Sequence, residues 1–172
     1  TNVSVSPLNA QDWIERSHAL ADLAVFYNHD FTLTGDGPPE LLSGVRVEPN
    51  LLGLLGRTPV LGRGFSDEEV GVGRDGVVIL TDGFWRRHFA GDRGALGSTL
   101  VLEGVPRVIV GIMPPDFLFL DARPDVLLPL DLIPADHARD ELFLKALGRL
   151  APGVGLDEAR IELRQIAYQL QE

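Results

Sequence analysis

The sequence predicts an α+β fold of two lobes, built on mainly antiparallel or mixed sheets, and three observations carry that prediction. Turn signals at Gly35–Pro39 and Gly104–Pro106 separate short runs rich in β-branched and apolar residues. Helical spacing of apolar residues is confined to a segment near each end and to one stretch in the middle. The resulting order is helix, hairpin, helix, strand, helix, hairpin, strand, strand, helix, a mixture of hairpins and helices rather than a regular βα alternation.

Each element has a local cause. Ser6 followed by Pro7 starts a helix, because the serine hydroxyl can accept a free amide and proline at the first helical position gives up no hydrogen bond. Ala10, Trp13, Ile14 and Ser17 mark its buried stripe. From Leu23 through Val25, Tyr27, Phe31 and Leu33 the spacing predicts one long strand. Gly35, Asp36, Gly37, Pro38 and Pro39 turn it into a return strand over Glu40–Glu48, with Leu41, Val45 and Val47 on one face and Leu42, Arg46 and Glu48 on the other. Pro49 opens a short helix over Leu51–Leu55 that Gly56 closes.

Arg57–Gly76 is rich in glycine, proline and charge and reads as a long ordered loop. Val77–Leu80 is a short buried strand, Thr81 a helix cap, and Phe84, Trp85 and Phe89 the apolar side of a helix ended by Gly91. Leu100–Glu103 and Arg107–Ile112 form the second hairpin, and Pro114 and Pro115 stop it. Phe117 and Phe119 anchor the next loop, Val126–Leu130 is a further strand, and Phe143–Leu150 is strand-like. Leu156, Ala159, Leu163, Ile166, Ala167 and Leu170 recur at helical spacing after the Pro152–Gly153 turn.

Composition narrows the function. A chain of 172 residues that is 45% hydrophobic and 23% charged can bury a sizeable core and has none of the signature of disorder. Its formal charge of -10 repels phosphate backbones, so nucleic acid is not an expected partner. Arg86 and Arg87, the densest basic spot, read as the solvent face of their helix. With no cysteine there is no disulfide, thiolate metal site or cysteine nucleophile. Val108–Met113 and Val126–Leu130, among the longest apolar runs, fall far short of the roughly 20 residues a membrane helix needs. The start at Thr1, without a charged or apolar leader, reads as a piece cut from something longer.

No motif rises to a reactive site. Gly71, Gly73 and Gly76 fit G-x-G-x-x-G, but they precede the Val77–Leu80 strand and no helix opens on them, so a flexible loop is the better reading. A Walker lysine motif is missing. His18, His29, His88 and His137 are scattered, and the pairs His29–Asp30 and Asp136–His137 read as solvated loop neighbours rather than ligands. Ser43, Ser66 and Ser98 have strand, cap and turn explanations, and none lies in a G-x-S-x-G elbow. Asp67, Glu68 and Glu69 after Ser66 form a good first helical turn. The sequence thus assigns no catalytic, cofactor-binding or metal residue. Phe117–Val126, apolar within a proline-bounded loop, is its best candidate for an exposed contact surface.

Several separated phrases, taken in order, do resemble a known family. They are Ser6 to Trp13; Val47 to Leu61 with Gly62, Arg63 and Phe65; Val77 to Leu80 with Phe84, Trp85, Arg86, Arg87 and Phe89; Gly97, Leu100 and Leu102; Val110 to Pro115 with Phe117; Asp125 with Pro129; and Gly148 to Gly153. The chain resembles the MacB-like periplasmic core domain of ABC-transporter permeases, in particular the acidobacterial-type duplicated permeases. The resemblance implies a porter-like lobe over 1–74 and 139–172 and an inserted sabre-like lobe over 75–138. It implies an extracytoplasmic, non-catalytic domain of a cell-membrane protein that relays ATP-driven motion to move a substrate outward. The implied partners are membrane helices of the same permease, a cytoplasmic ATPase, a second permease copy and a periplasmic adaptor. Gly62, Arg63, Phe65 and the Trp85 helix would then preserve lobe geometry. The competing readings are a periplasmic ligand- or peptide-binding module and a hydrolase with a hidden triad.

Overall fold

A computed structural model describes residues 3–170. In chain order the elements are β1 (Val3–Val5), α1 (Pro7–Arg16), β2 (Leu20–Asn28), β3 (Phe31–Thr34), β4 (Glu40–Leu42), β5 (Gly44–Val47), α2 (Leu51–Leu54), β6 (Leu61–Gly62), β7 (Val77–Leu80), α3 (Asp82–Phe89), β8 (Thr99–Leu102), β9 (Val105–Ile112), β10 (Val126–Pro129), β11 (Leu144–Leu150) and α4 (Leu156–Gln169). The fold is α+β with a mixed sheet, as the sequence predicts. The chain divides into two compact units, one of the residues up to Phe26 with those from Leu132 onward, the other Tyr27–Asp131.

In the first unit, β11 lies between β1 and β2, antiparallel to both. Helix α1 packs against α4. The α1 start is the expected one, with Ser6 accepting from the Asn9 amide at 3.2 Å and Pro7 in the first turn. Glu162 of α4 fixes the turn after α1 by accepting from the Ser17 hydroxyl at 2.7 Å and from the His18 and Ala19 amides at 2.9 and 2.8 Å. Those bonds hold its carboxyl below the usual carboxylate range, the His18 amide contributing most.

The second unit carries the strand order β5-β10-β7-β9-β8-β3-β4, with β6 on β9. β5 and β10 run parallel, as do β7 and β9, while the remaining neighbours are antiparallel. β10 is buried along its whole length and β7 over three of its four residues, which is why Val77–Leu80 and Val126–Pro129 are continuous apolar runs instead of alternating ones. α3 inserts Phe84 and Trp85 among Val78, Leu80, Leu100 and Ile109.

Several expectations change in detail. The long strand of 23–33 is two strands, and the return strand 40–48 is also two, broken at Ser43. There the chain leaves β3 and crosses to β10, with Ser43 and Asp125 exchanging bonds in both directions. Gly44 permits the break, since a Cβ would overlap the Phe31 ring. Leu41 is exposed and Leu42 buried, because the register of β4 on β3 and not the apolar count sets the face. Thr81 stands at the start of α3, but its hydroxyl bonds the Asp125 carbonyl rather than a helix amide. The second hairpin turns on Glu103 and Gly104, both left-handed, one residue earlier than expected.

The compact division at 26/27 and 131/132 also differs from lobe limits drawn at 74/75 and 138/139. Much of the 57–76 loop packs with the inserted unit. Leu61 and Gly62 pair with β9, Arg63 donates its amide to the Val110 carbonyl, and the loop ends in Asp75 among the strands.

Candidate functional site

Arginines in strands usually point to water, but Arg46 in β5 and Arg107 in β9 do not. Both are buried, 6% and 3% exposed. Each donates Nη1 to the same oxygen, Oδ2 of Asp75, at 2.7 and 2.6 Å. Arg107 also bonds the Asp75 carbonyl, Arg46 bonds the Pro129 carbonyl at 3.0 Å, and the Arg46 guanidinium stands 5.3 Å from the Phe31 ring centre. Asp131 adds a second carboxylate 3.5 Å from Arg46 Nε. The Tyr27 hydroxyl donates to Asp131 at 2.5 Å. Two arginines, two aspartates and a tyrosine therefore form one charge-balanced network.

Burial raises the Tyr27 hydroxyl pKa, and the hydrogen bond to Asp131 and its charge raise it further, so the phenol keeps its proton. Burial alone would raise the Asp75 carboxyl too, but the hydrogen bonds from Arg107 and Arg46 outweigh it and hold the group below the ordinary range. A carboxyl with a lowered native pKa stabilises the fold fully above its unfolded value, ~3.9, and loses that contribution as pH falls through the native value. Melting followed by circular dichroism is therefore expected to show the wild-type chain holding its Tm from about pH 7 to 5 and losing it steeply below about pH 4. Asp75→Asn should flatten the part of that acid slope due to this group.

The other sequence candidates separate. The capping box at Ser66 forms, with the Ser66 amide bonded to Glu69 at 3.0 Å, and Glu69 pairs with Arg63 at 2.6 Å. Gly71 and Gly73 sit at positive φ in turns, in keeping with a loop. His29 lies 3.8 Å from Glu103, and His137 lies 2.7 Å from Glu141, four residues on. Among the described residues there is no group of three or more His, Cys, Asp or Glu side chains able to hold a metal. Arg86 and Arg87 are exposed and pair with Asp82 at 2.8 Å and with Asp125 at 3.2 Å.

Two surfaces remain. In the 117–126 loop Phe117 and Phe119 are buried anchors, while Leu118 and Leu120 are exposed. Phe119 and Ala122 exchange backbone bonds across a tight turn in which Leu120 and Asp121 are left-handed. A groove of about 670 Å³ lies in the inserted unit, lined by Leu33 and the 34–40 turn, His88, Phe89 and the Thr99–Val101 edge of β8. Its titratable side chains are Asp36, Glu40 and His88.

The sequence model of the MacB-like periplasmic core domain matches residues 3–166. A comparison with curated proteins gives no match. The fold is similar to the periplasmic region of MacB from Actinobacillus actinomycetemcomitans, with a TM-score of 0.72 and 12% identity over 98% of this chain and 75% of that one. It is also similar to the extracellular domain of the noncanonic ABC-type transporter YknZ from Gram-positive bacteria, with a TM-score of 0.67 and 10% identity over 96% of this chain and 85% of that one. Among the described residues no helix is long and apolar enough to cross a membrane.

Proposed function

Because the chain belongs to the MacB-like periplasmic core domain family, we propose that it is a non-catalytic relay outside the cytoplasm, passing ATP-driven motion from a permease's membrane helices to the export of a substrate. The observation that carries this reading is the inserted unit itself, a closely packed sheet whose strands are tied by buried ion pairs. Packed interiors transmit displacement instead of absorbing it, which is what a relay requires. The energy would come from a cytoplasmic ATPase, through the same permease's membrane helices, with a second permease copy and a periplasmic adaptor as further partners. The porter-like and sabre-like lobes of the family would correspond to the two compact units.

The test uses the parent permease in membranes with a spin label at exposed Val72 of this domain and its counterpart on the second copy. ATP is expected to change the label separation by several ångströms, and an ATPase-dead variant should abolish the change. A separation indifferent to ATP in an active transporter would refute the relay. Turnover of any ester or peptide by the purified domain, abolished by one polar substitution, would do the same.

A further inference from the structure

Tyr27 and Asp131 are the residues where the polypeptide enters and leaves the inserted unit. Their side chains hold each other by a 2.5 Å hydrogen bond across 104 positions of sequence. From Asp131 the contacts continue to Arg46, from Arg46 to Asp75 and the Pro129 carbonyl, and from Asp75 to Arg107. The four strands reached are β5, the end of β10, the approach to β7, and β9, which are consecutive in the sheet. One unbroken line of polar contacts thus joins both chain passages to four neighbouring strands.

We propose that this line is a clasp, which holds the two passages together and fastens them to the sheet so that displacement entering by either passage moves the unit as one body. Its purpose rests on the relay reading, but its existence is a property of the unit alone. Stability by itself does not call for such a device, since well-packed apolar side chains of similar volume hold a core at least as well as buried ion pairs. What ions and hydrogen bonds add is a fixed pairing, and here the pairing selects the two residues that bound the unit.

Tyr27→Phe is the clean variant, because it deletes the link at the passages and leaves two arginines balanced by two aspartates. The Leu130 amide, bonded to the Val47 carbonyl at 2.9 Å, reports on the passage; the Met113 amide, bonded to the Leu80 carbonyl at 2.8 Å, reports on the core. In the 172-residue chain, hydrogen exchange at Leu130 is expected to speed about tenfold in Tyr27→Phe, with Met113 unchanged. Asp131→Asn, which breaks the ion pair to Arg46, should give the same local pattern. Wild-type rates at Leu130 in both variants would overturn the clasp, and so would equal acceleration of Leu130 and Met113. These outcomes leave the relay untouched, while a permease insensitive to ATP leaves these rates untouched, so the two ideas fail separately.

Discussion

Asp75→Asn is expected to destabilise the Tyr27–Asp131 unit by about 3–5 kcal/mol, read as a lower midpoint in urea with little change in slope. The substitution is almost isosteric, so packing is not the cause. It removes the single anion shared by two guanidiniums that are each almost fully buried. Arg107 is the worse placed, because its Nε has no hydrogen-bond partner among the described residues and only neutral oxygens of residue 75, the backbone carbonyl and the new amide Oδ1, would remain to it. Arg46 keeps the Pro129 carbonyl and Asp131. Replacing Arg46, Asp75 and Arg107 together by apolar residues of matching volume should recover much of the loss, since no buried charge is then left alone. A stability for Asp75→Asn within about 1 kcal/mol of wild type would mean that the two guanidiniums do not depend on this carboxylate, and the account of it as their shared counter-ion would fail.

Trp85→Ala should cost about 3–5 kcal/mol and lower the unit's Tm by roughly 10 °C, followed by circular dichroism or calorimetry. The indole is 8% exposed, packs in the core under α3, and donates Nε1 to the Asp92 carbonyl at 2.8 Å, which fastens the residues after the helix. Alanine removes the packing and the indole donor, leaving that carbonyl only the Ala95 amide at 3.2 Å. Unchanged stability combined with lost ligand binding would instead place Trp85 on a recognition surface and count against its role as scaffold.

Much of the fold was legible because its causes are local. Ser6–Pro7, the Ser66 capping box, Val77–Leu80, the Phe84–Trp85–Phe89 face and both hairpins depend on neighbours within a few positions, and the structure holds them. The breaks at His29–Asp30 and at Ser43 depend on distant partners: β5 leaves its hairpin to run beside β10, and no local spacing announces that choice. The buried network was hidden for the same reason. Arg46 alternates with Val45 and Val47, which suggests an outward side chain, and only Asp75 and Asp131, 29 and 85 positions away, make burial tolerable. The one available signal was an arginine inside an apolar strand, and that pattern is also what an exposed face would show. The glycine- and proline-rich 57–76 segment reads as loop in composition, and only the paired strands show Leu61, Gly62 and Asp75 knitting it to the sheet.

That the side chains of Tyr27 and Asp131 touch although 104 positions separate them has a consequence for how such a protein can change. A stretch of sequence whose two ends already meet behaves as a parenthesis: it can be lengthened, shortened or exchanged for another with adjacent ends while the surrounding text keeps its grammar. Changes of length between Tyr27 and Asp131 can then accumulate without redrawing the strands and helices outside them.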